Sequence, residues 1–174
     1  MINENYCENN KHSLRFKKIH LQGRDVYIYR KVTSTNIIAK SLAANGAPDG
    51  TIVLSSFQTA GKGRFQRQWV CPPGKGLLFS MILRPDIDSQ FIPQLTLLSA
   101  VVVAESIQKI CGCEAGIKWP NDILINGQKV CGILAQNTFS GSRSEFVVLG
   151  IGINVNLNKD QLPAECRETT TSLF

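Results

Sequence analysis

The chain has 174 residues, 43% of them hydrophobic and 18% charged, with a formal charge of +6. That length and apolar content support one buried core and leave too little chain for a second full domain. The polar N-terminal sequence lacks the apolar stretch of a secretory leader, which sets the expectation of a cytoplasmic protein whose six cysteines are reduced thiols.

Residues 1–25 read as an N-terminal segment, expected to be partly flexible. It carries the basic run Lys11, Arg15, Lys17 and Lys18, expected to be a solvated arm, and both histidines, His12 and His20. Val26 to Val32 alternates β-branched and aromatic residues and predicts a strand. A helix follows through Ile37, Ile38, Leu42 and Ala43, with Ser34 or Thr35 as N-cap and Gly46 just past its end. Thr51 to Ser56 predicts the next strand, and Gln58 to Lys75, polar and rich in Gly and Arg, predicts a long functional loop. Leu77 to Leu83 predicts a buried strand, stopped by Arg84-Pro85. The longest helix should open near Pro93 and close before Gly112. Its apolar run, Leu95 to Ala104, is about half the roughly 20 residues a membrane span needs, so a core helix is expected and no membrane partner. Short strands then follow at Ala115–Lys118, Ile123–Ile125, Lys129–Gln136 and Phe146–Asn154, with Asn126-Gly127 as a hairpin turn. The fold class expected is α+β, a mixed, largely antiparallel sheet backed by helices.

Four constellations could carry chemistry. Gly61-Lys62-Gly63-Arg64-Phe65-Gln66-Arg67, with Gln58 before it and Trp69 after, joins close-approaching backbone N–H groups to fixed positive charge, which suits a compact anion. It lacks the spacing of a Walker A loop, and on the short glycine motif alone a solvated surface loop is the favoured reading. Lys118-Trp119-Pro120-Asn121-Asp122 could serve a nucleotide, with Asp122 toward Mg²⁺ and Lys118 toward phosphate, or could be an ordinary turn. Lys129 leads a buried strand in which Gly132 allows close backbone approach, and a solvated strand-edge lysine is the alternative. Gly150-Ile151-Gly152-Ile153-Asn154 ends an apolar strand in an asparagine that could bond a purine or ribose, or merely end the strand. No nucleophile has a neighbouring histidine, and Cys111 with Cys113 lacks the further ligands of a zinc site. The N-terminal basic run reads as a solvated arm, and Lys62, Arg64 and Arg67 sit inside a glycine-containing loop suited to a compact anion, which argues against a nucleic-acid-binding module.

Taken in order, Ser34-Thr35-Asn36, Gln58 to Trp69, Lys118 to Asp122, Lys129 to Leu134, Gly150 to Asn154 and Thr171 to Leu173 resemble the motifs of biotin–protein ligases, from about Tyr29 to the last residue. Lipoate ligases share that fold, but their arginine- and triple-glycine-containing signature is not found. The resemblance implies a class II synthetase-like catalytic domain over 26–174. It implies an ATP-dependent enzyme that forms biotinyl-5′-AMP and transfers biotin to a lysine of an acceptor, the biotin carboxyl carrier protein of a carboxylase. ATP and Mg²⁺ are the implied cofactors, nucleic acid is not an implied partner, and self-association into a homodimer is left open. By resemblance, Ser34, Thr35, Asn36, Gln58, Gly61, Lys62, Gly63, Arg64, Trp69, Lys129 and Gly132 contact biotin or its adenylate. Lys118, Asn121, Asp122 and Asn154 serve ATP and Mg²⁺, with Asp122 as the metal ligand, and Lys129, Arg64 and Lys118 are the catalytic cations.

Three departures from the family pattern stand out: Gln66 replaces the usual glycine, Lys62 the commoner arginine, and Cys71 a small hydroxyl residue. The sequence stops at Phe174, where the family continues into a helix and a small C-terminal β domain. The expectation for these 174 residues is measurable adenylation with transfer at least roughly tenfold weaker than with that domain supplied. The alternative is a non-catalytic biotin-binding remnant.

Overall fold

The computed structural model describes residues 16–140 and 143–174. Strands β1 (Phe16–Leu21) and β2 (Arg24–Tyr29) form a hairpin, and helix α1 (Thr35–Ala44) carries the chain across to β3 (Ile52–Ser55). After the Gly/Arg loop come β4 (Gly76–Leu83) and helix α2 (Ile92–Cys111). Strands β5 (Gly116–Lys118), β6 (Asp122–Ile125), β7 (Gln128–Ser140) and β8 (Arg143–Asn154) follow, then a single helical turn α3 (Ala164–Arg167). The eight strands make one sheet in the order β1-β2-β3-β4-β8-β7-β6-β5. Every neighbouring pair is antiparallel except β2 with β3. A parallel pair cannot be joined by a tight turn, which is why the crossover helix α1 lies between these two strands.

The sheet begins at Phe16, earlier than the expected domain start at residue 26. Lys17 and Lys18 read as a solvated arm, but on an edge strand lysines face water and discourage edge-to-edge pairing. Gln22 and Gly23 both have positive φ, as a two-residue hairpin turn requires. Lys11, Arg15, His12 and the rest of the expected flexible segment up to residue 15 lie outside the described residues. Elsewhere the predicted elements appear with shifts of a few residues: α2 has its proline at the first turn and Gly112 in the left-handed conformation at its end. The Asn126-Gly127 turn also has positive φ at both residues.

Side-chain alternation along β8 divides the core between the two faces of the sheet. Leu149, Ile151 and Ile153 join Ala100, Val103, Ala104 and Ile107 of α2 in one cluster. Phe146 and Val148 face the other way, into the cluster holding Ala39 and Ala43 of α1. The expected core helix is thus buried along one side, while Leu98, Val101 and Val102 remain exposed. Among the described residues one helical stretch, Ser89–Cys111, is long and apolar enough to cross a membrane by length and composition. Beyond Val148 the α1 face of β8 changes character, because its next inward positions are Gly150, Gly152 and Asn154. That gap in side-chain volume is where the site lies.

Residues 169–174 close the fold as a strap. Lys129 donates its backbone N–H to Thr169 O and accepts from Thr171 N–H at its carbonyl, and Leu173 and Phe174 bond to Asn154 and Val155.

Candidate functional site

Gly132 on β7 and Gly152 on β8 are directly paired across the sheet, and the indole of Trp69 lies over both. A Cβ at Gly152 would come within 2.7 Å of Trp69 Cε2, and one at Gly132 within 2.8 Å of Cζ3. Two missing side chains therefore create the floor on which the ring rests. Asn36 occupies the next gap, its amide packed so closely over Gly150 that any side chain there would collide with it.

The predicted Gly/Arg loop is a small hairpin. Trp69 N–H bonds Gly61 O, Gly63 N–H bonds Arg67 O, and Lys62 faces Gln68. Its tip turns at Phe65 and Gln66, both in the left-handed region. A glycine would take that conformation freely, so the Gln66 departure leaves a costlier turn that the hairpin's hydrogen bonds must hold. Gly61 serves this closure, since a Cβ there would meet Trp69 O at 2.7 Å. Arg64 leaves the tip to donate to Asn121 Oδ1 at 3.1 Å. Asn121 is itself fixed to β7 by a donation to Ile133 O and by accepting from Ile133 N–H.

Under this loop is a cavity of about 190 Å³. Its lining brings together twelve of the residues expected for the site: Ser34, Thr35, Asn36, Gln58, Lys62, Gly63, Arg64, Trp69, Asn121, Asp122, Lys129 and Gly132. Lys129 Nζ lies 2.7 Å from Asp122 Oδ1 and 5.5 Å from the centre of the Trp69 ring. At the opposite end Gln58 Oε1 accepts from Thr35 N–H at 2.7 Å and lies 3.1 Å from Thr35 Oγ1. Ser34 holds the N-cap position of α1 but makes no side-chain capping bond, so its hydroxyl is not committed to the helix. The cavity thus has a neutral end of hydroxyls and amides and a cationic end where Lys129 meets Asp122 and Arg64 meets Asn121, with Lys62 and Arg67 also in its lining.

Three expected residues stand elsewhere. Gly61 lies behind the lining, in the hairpin stem. Lys118 is exposed on the edge strand β5 and does not line the cavity, because the antiparallel β5–β6 pairing carries Asp122 inward and leaves β5 outermost. Asn154 is buried and donates through Nδ2 to Thr171 O of the strap, while its Oδ1 has no hydrogen-bond partner. The structure adds Ser80 on β4, which bridges Thr35 Oγ1 and Asn36 Oδ1, and Gln136 on β7, which accepts from Asn36. The signal for Ser80 was a lone hydroxyl within an apolar strand. Cys131, one residue before Gly132, is fully buried, and burial pushes its thiol from about 9 up to about 12, which makes it a neutral packing group rather than a nucleophile.

Fold and cavity together define an α+β domain with a cleft that is amide-lined at one end and anion-accepting at the other. Residues 27–154 match the biotin/lipoate A/B protein ligase family, and the chain belongs to it. It is 46% identical over 156 residues to the bifunctional ligase/repressor BirA of Bacillus spizizenii, covering 90% of this chain and 48% of that protein. It is 39% identical over 127 residues to the biotin–[acetyl-CoA-carboxylase] ligase of Paracoccus denitrificans, covering 72% of this chain and 52% of the relative. A solved biotin protein ligase from Aquifex aeolicus in complex with biotin and ATP superposes with a TM-score of 0.71 at 30% identity, covering 85% of this chain and 59% of that one. The chain spans about half the length of these curated relatives.

Proposed function

We propose that this chain carries the biotin-activating site of a biotin–protein ligase, forming biotinyl-5′-AMP from biotin and ATP and passing the acyl group to a lysine of a biotin carboxyl carrier protein. The observation that carries the reading is the polarity of the cavity, with hydroxyl and amide groups from α1 and Gln58 at one end and Lys129 and Arg64 at the other. Biotin has the matching polarity, a urea ring at one end and a carboxylate at the other. Names of relatives and the Aquifex complex with biotin and ATP support the same assignment.

In the first half-reaction a carboxylate oxygen attacks the α-phosphorus of ATP and pyrophosphate leaves; in the second a lysine amine attacks the acyl carbon and AMP leaves. Neither step forms a covalent bond to the enzyme, so the chemistry calls for no activated nucleophile. The protein's contribution is alignment of the reacting atoms and cationic stabilisation of moving charge. In this reading Lys129 holds the carboxylate, and Lys62 and Arg64 cover the adenylate from the hairpin above. Among the described residues, Asp122 is the one acidic side chain lining the cavity. Mg²⁺ binds through one or two carboxylates together with substrate phosphates, so Asp122 fits as its protein ligand and the metal would neutralise phosphate charge there.

The test is biotin-dependent exchange of labelled pyrophosphate into ATP. Exchange supports the ligase; tight biotin binding without exchange would instead support a non-catalytic binding protein.

A further inference from the structure

Strand β4 is apolar but for one hydroxyl, that of Ser80, which is completely buried. Its Oγ lies 2.6 Å from Asn36 Oδ1 and 2.8 Å from Thr35 Oγ1. Donor and acceptor types settle the direction of this chain. Asn36 uses Nδ2 toward Gln136 Oε1 at 2.8 Å, so its oxygen faces Ser80 and can only accept. The single Ser80 proton therefore goes to Asn36, and Ser80 presents a lone pair to Thr35. Thr35 has one proton too, with Ser80 Oγ or Gln58 Oε1 as its receiver. Ser80 Oγ, at 2.8 Å, is the nearer receiver, since Gln58 Oε1 stands 3.1 Å away and already accepts from Thr35 N–H, so the Thr35 proton turns away from the cavity and its oxygen presents lone pairs there.

We propose that Ser80 is a positioning residue that, through Thr35 and Asn36, fixes the Thr35 hydroxyl as a hydrogen-bond acceptor for an N–H of a cyclic urea. Ser80 does not line the cavity and acts through its two neighbours. The proposal rests on the biotin assignment above and names what orients its urea end. Without the Ser80 hydroxyl, Thr35 keeps only the longer contact to Gln58 Oε1 at 3.1 Å, and its proton is freer to turn toward the ligand, where two donors then confront each other.

The test is calorimetric titration of the full chain with biotin and, separately, with ATP, for wild type, Ser80→Ala, Thr35→Val and the double variant. Ser80→Ala should raise the biotin Kd about tenfold while leaving the ATP Kd within about twofold, and on the Thr35→Val background it should add less than about twofold. Unchanged biotin affinity in Ser80→Ala, or a full tenfold loss again on the Thr35→Val background, overturns the proposal. If Ser80→Ala loses its cooperative melt, Ser80→Cys keeps the size and a weak donor; an intermediate biotin Kd is then expected, and a wild-type Kd overturns the role. A wild-type chain that binds no biotin sinks the biotin assignment itself, whereas wild-type binding with an unaffected Ser80→Ala sinks the positioning role alone.

Discussion

Lys129 Nζ faces Asp122 Oδ1 at 2.7 Å across the β6–β7 pairing. Both side chains are partly exposed, so the pair adds little to stability, and its effect is to hold the ammonium extended along the cavity wall. Replacing Lys129 with alanine removes a charge-assisted contact to a carboxylate, typically worth about 1.5–3 kcal/mol. Adenylate formation in a single turnover should fall at least about tenfold. An unchanged rate would remove Lys129 from the reaction.

A methyl group at Gly152 cannot coexist with the present position of the Trp69 ring. Gly152→Ala should displace the indole and weaken biotin binding by about tenfold or more. Trp119 is exposed and outside the cavity lining, so Trp119→Phe isolates Trp69 emission. On that background Gly152→Ala should shift the emission toward that of a more hydrated indole, and an identical spectrum would contradict the packing described.

Arg64 ties the hairpin tip to Asn121. Breaking that bond with Arg64→Gly or Asn121→Ala should raise the dissociation rate of the adenylate by roughly tenfold, in line with the loss of a hydrogen bond to a charged group. Release of labelled adenylate from preloaded protein measures it. A wild-type rate in both variants would show that the hairpin does not act as a cover.

Away from the site, Arg84 donates to Ala43 O and Ala47 O at the end of α1 and packs over Phe146. Arg84→Met should cost about 2 kcal/mol and lower the melting temperature by about 4–8 °C, with little change in biotin affinity.

Cys131 and Cys71 are both buried, and burial raises their thiols to about 12 and about 11 from an ordinary value near 9. Below pH 9 folded and unfolded chains both hold these protons. Above it the unfolded chain loses them first, so folding stability should fall between about pH 9 and 12. Denaturant melts at pH 8 and pH 10.5 should show the decline, and Cys131→Ala should reduce it.

Much of the architecture was legible in local signals. Pro93 and Gly112 bracket α2, and Asn126-Gly127 marks the β6–β7 hairpin, because each of these residues fits a backbone conformation that few others adopt. The strand order was not legible: nothing local says that β8 inserts between β4 and β7. The sheet's first strand escaped notice because its lysines look the same on an edge strand as on a solvated arm. At the site, short motifs taken singly did not separate function from turn geometry, and their ordered combination pointed to the family that residues 27–154 match. Lys118 and Asn154 belong to the same motifs yet do not line the cavity, because membership of a motif does not say where a side chain points. Ser80 was hidden for a related reason, as its role depends on partners more than forty residues away in the chain.

The strap has a mechanical consequence. Lys129 spends both of its backbone hydrogen-bonding groups on Thr169 and Thr171, not on β6. The address of the lysine ammonium is therefore written in two places, the β7 strand that bears it and a stretch about forty residues downstream. Any pull on residues 169–171 is delivered straight to the root of that side chain, with no flexible linker in between to absorb it. Small displacements of this stretch would retune the distance between Lys129 and Asp122, making it a lever on the charge at that end of the cavity.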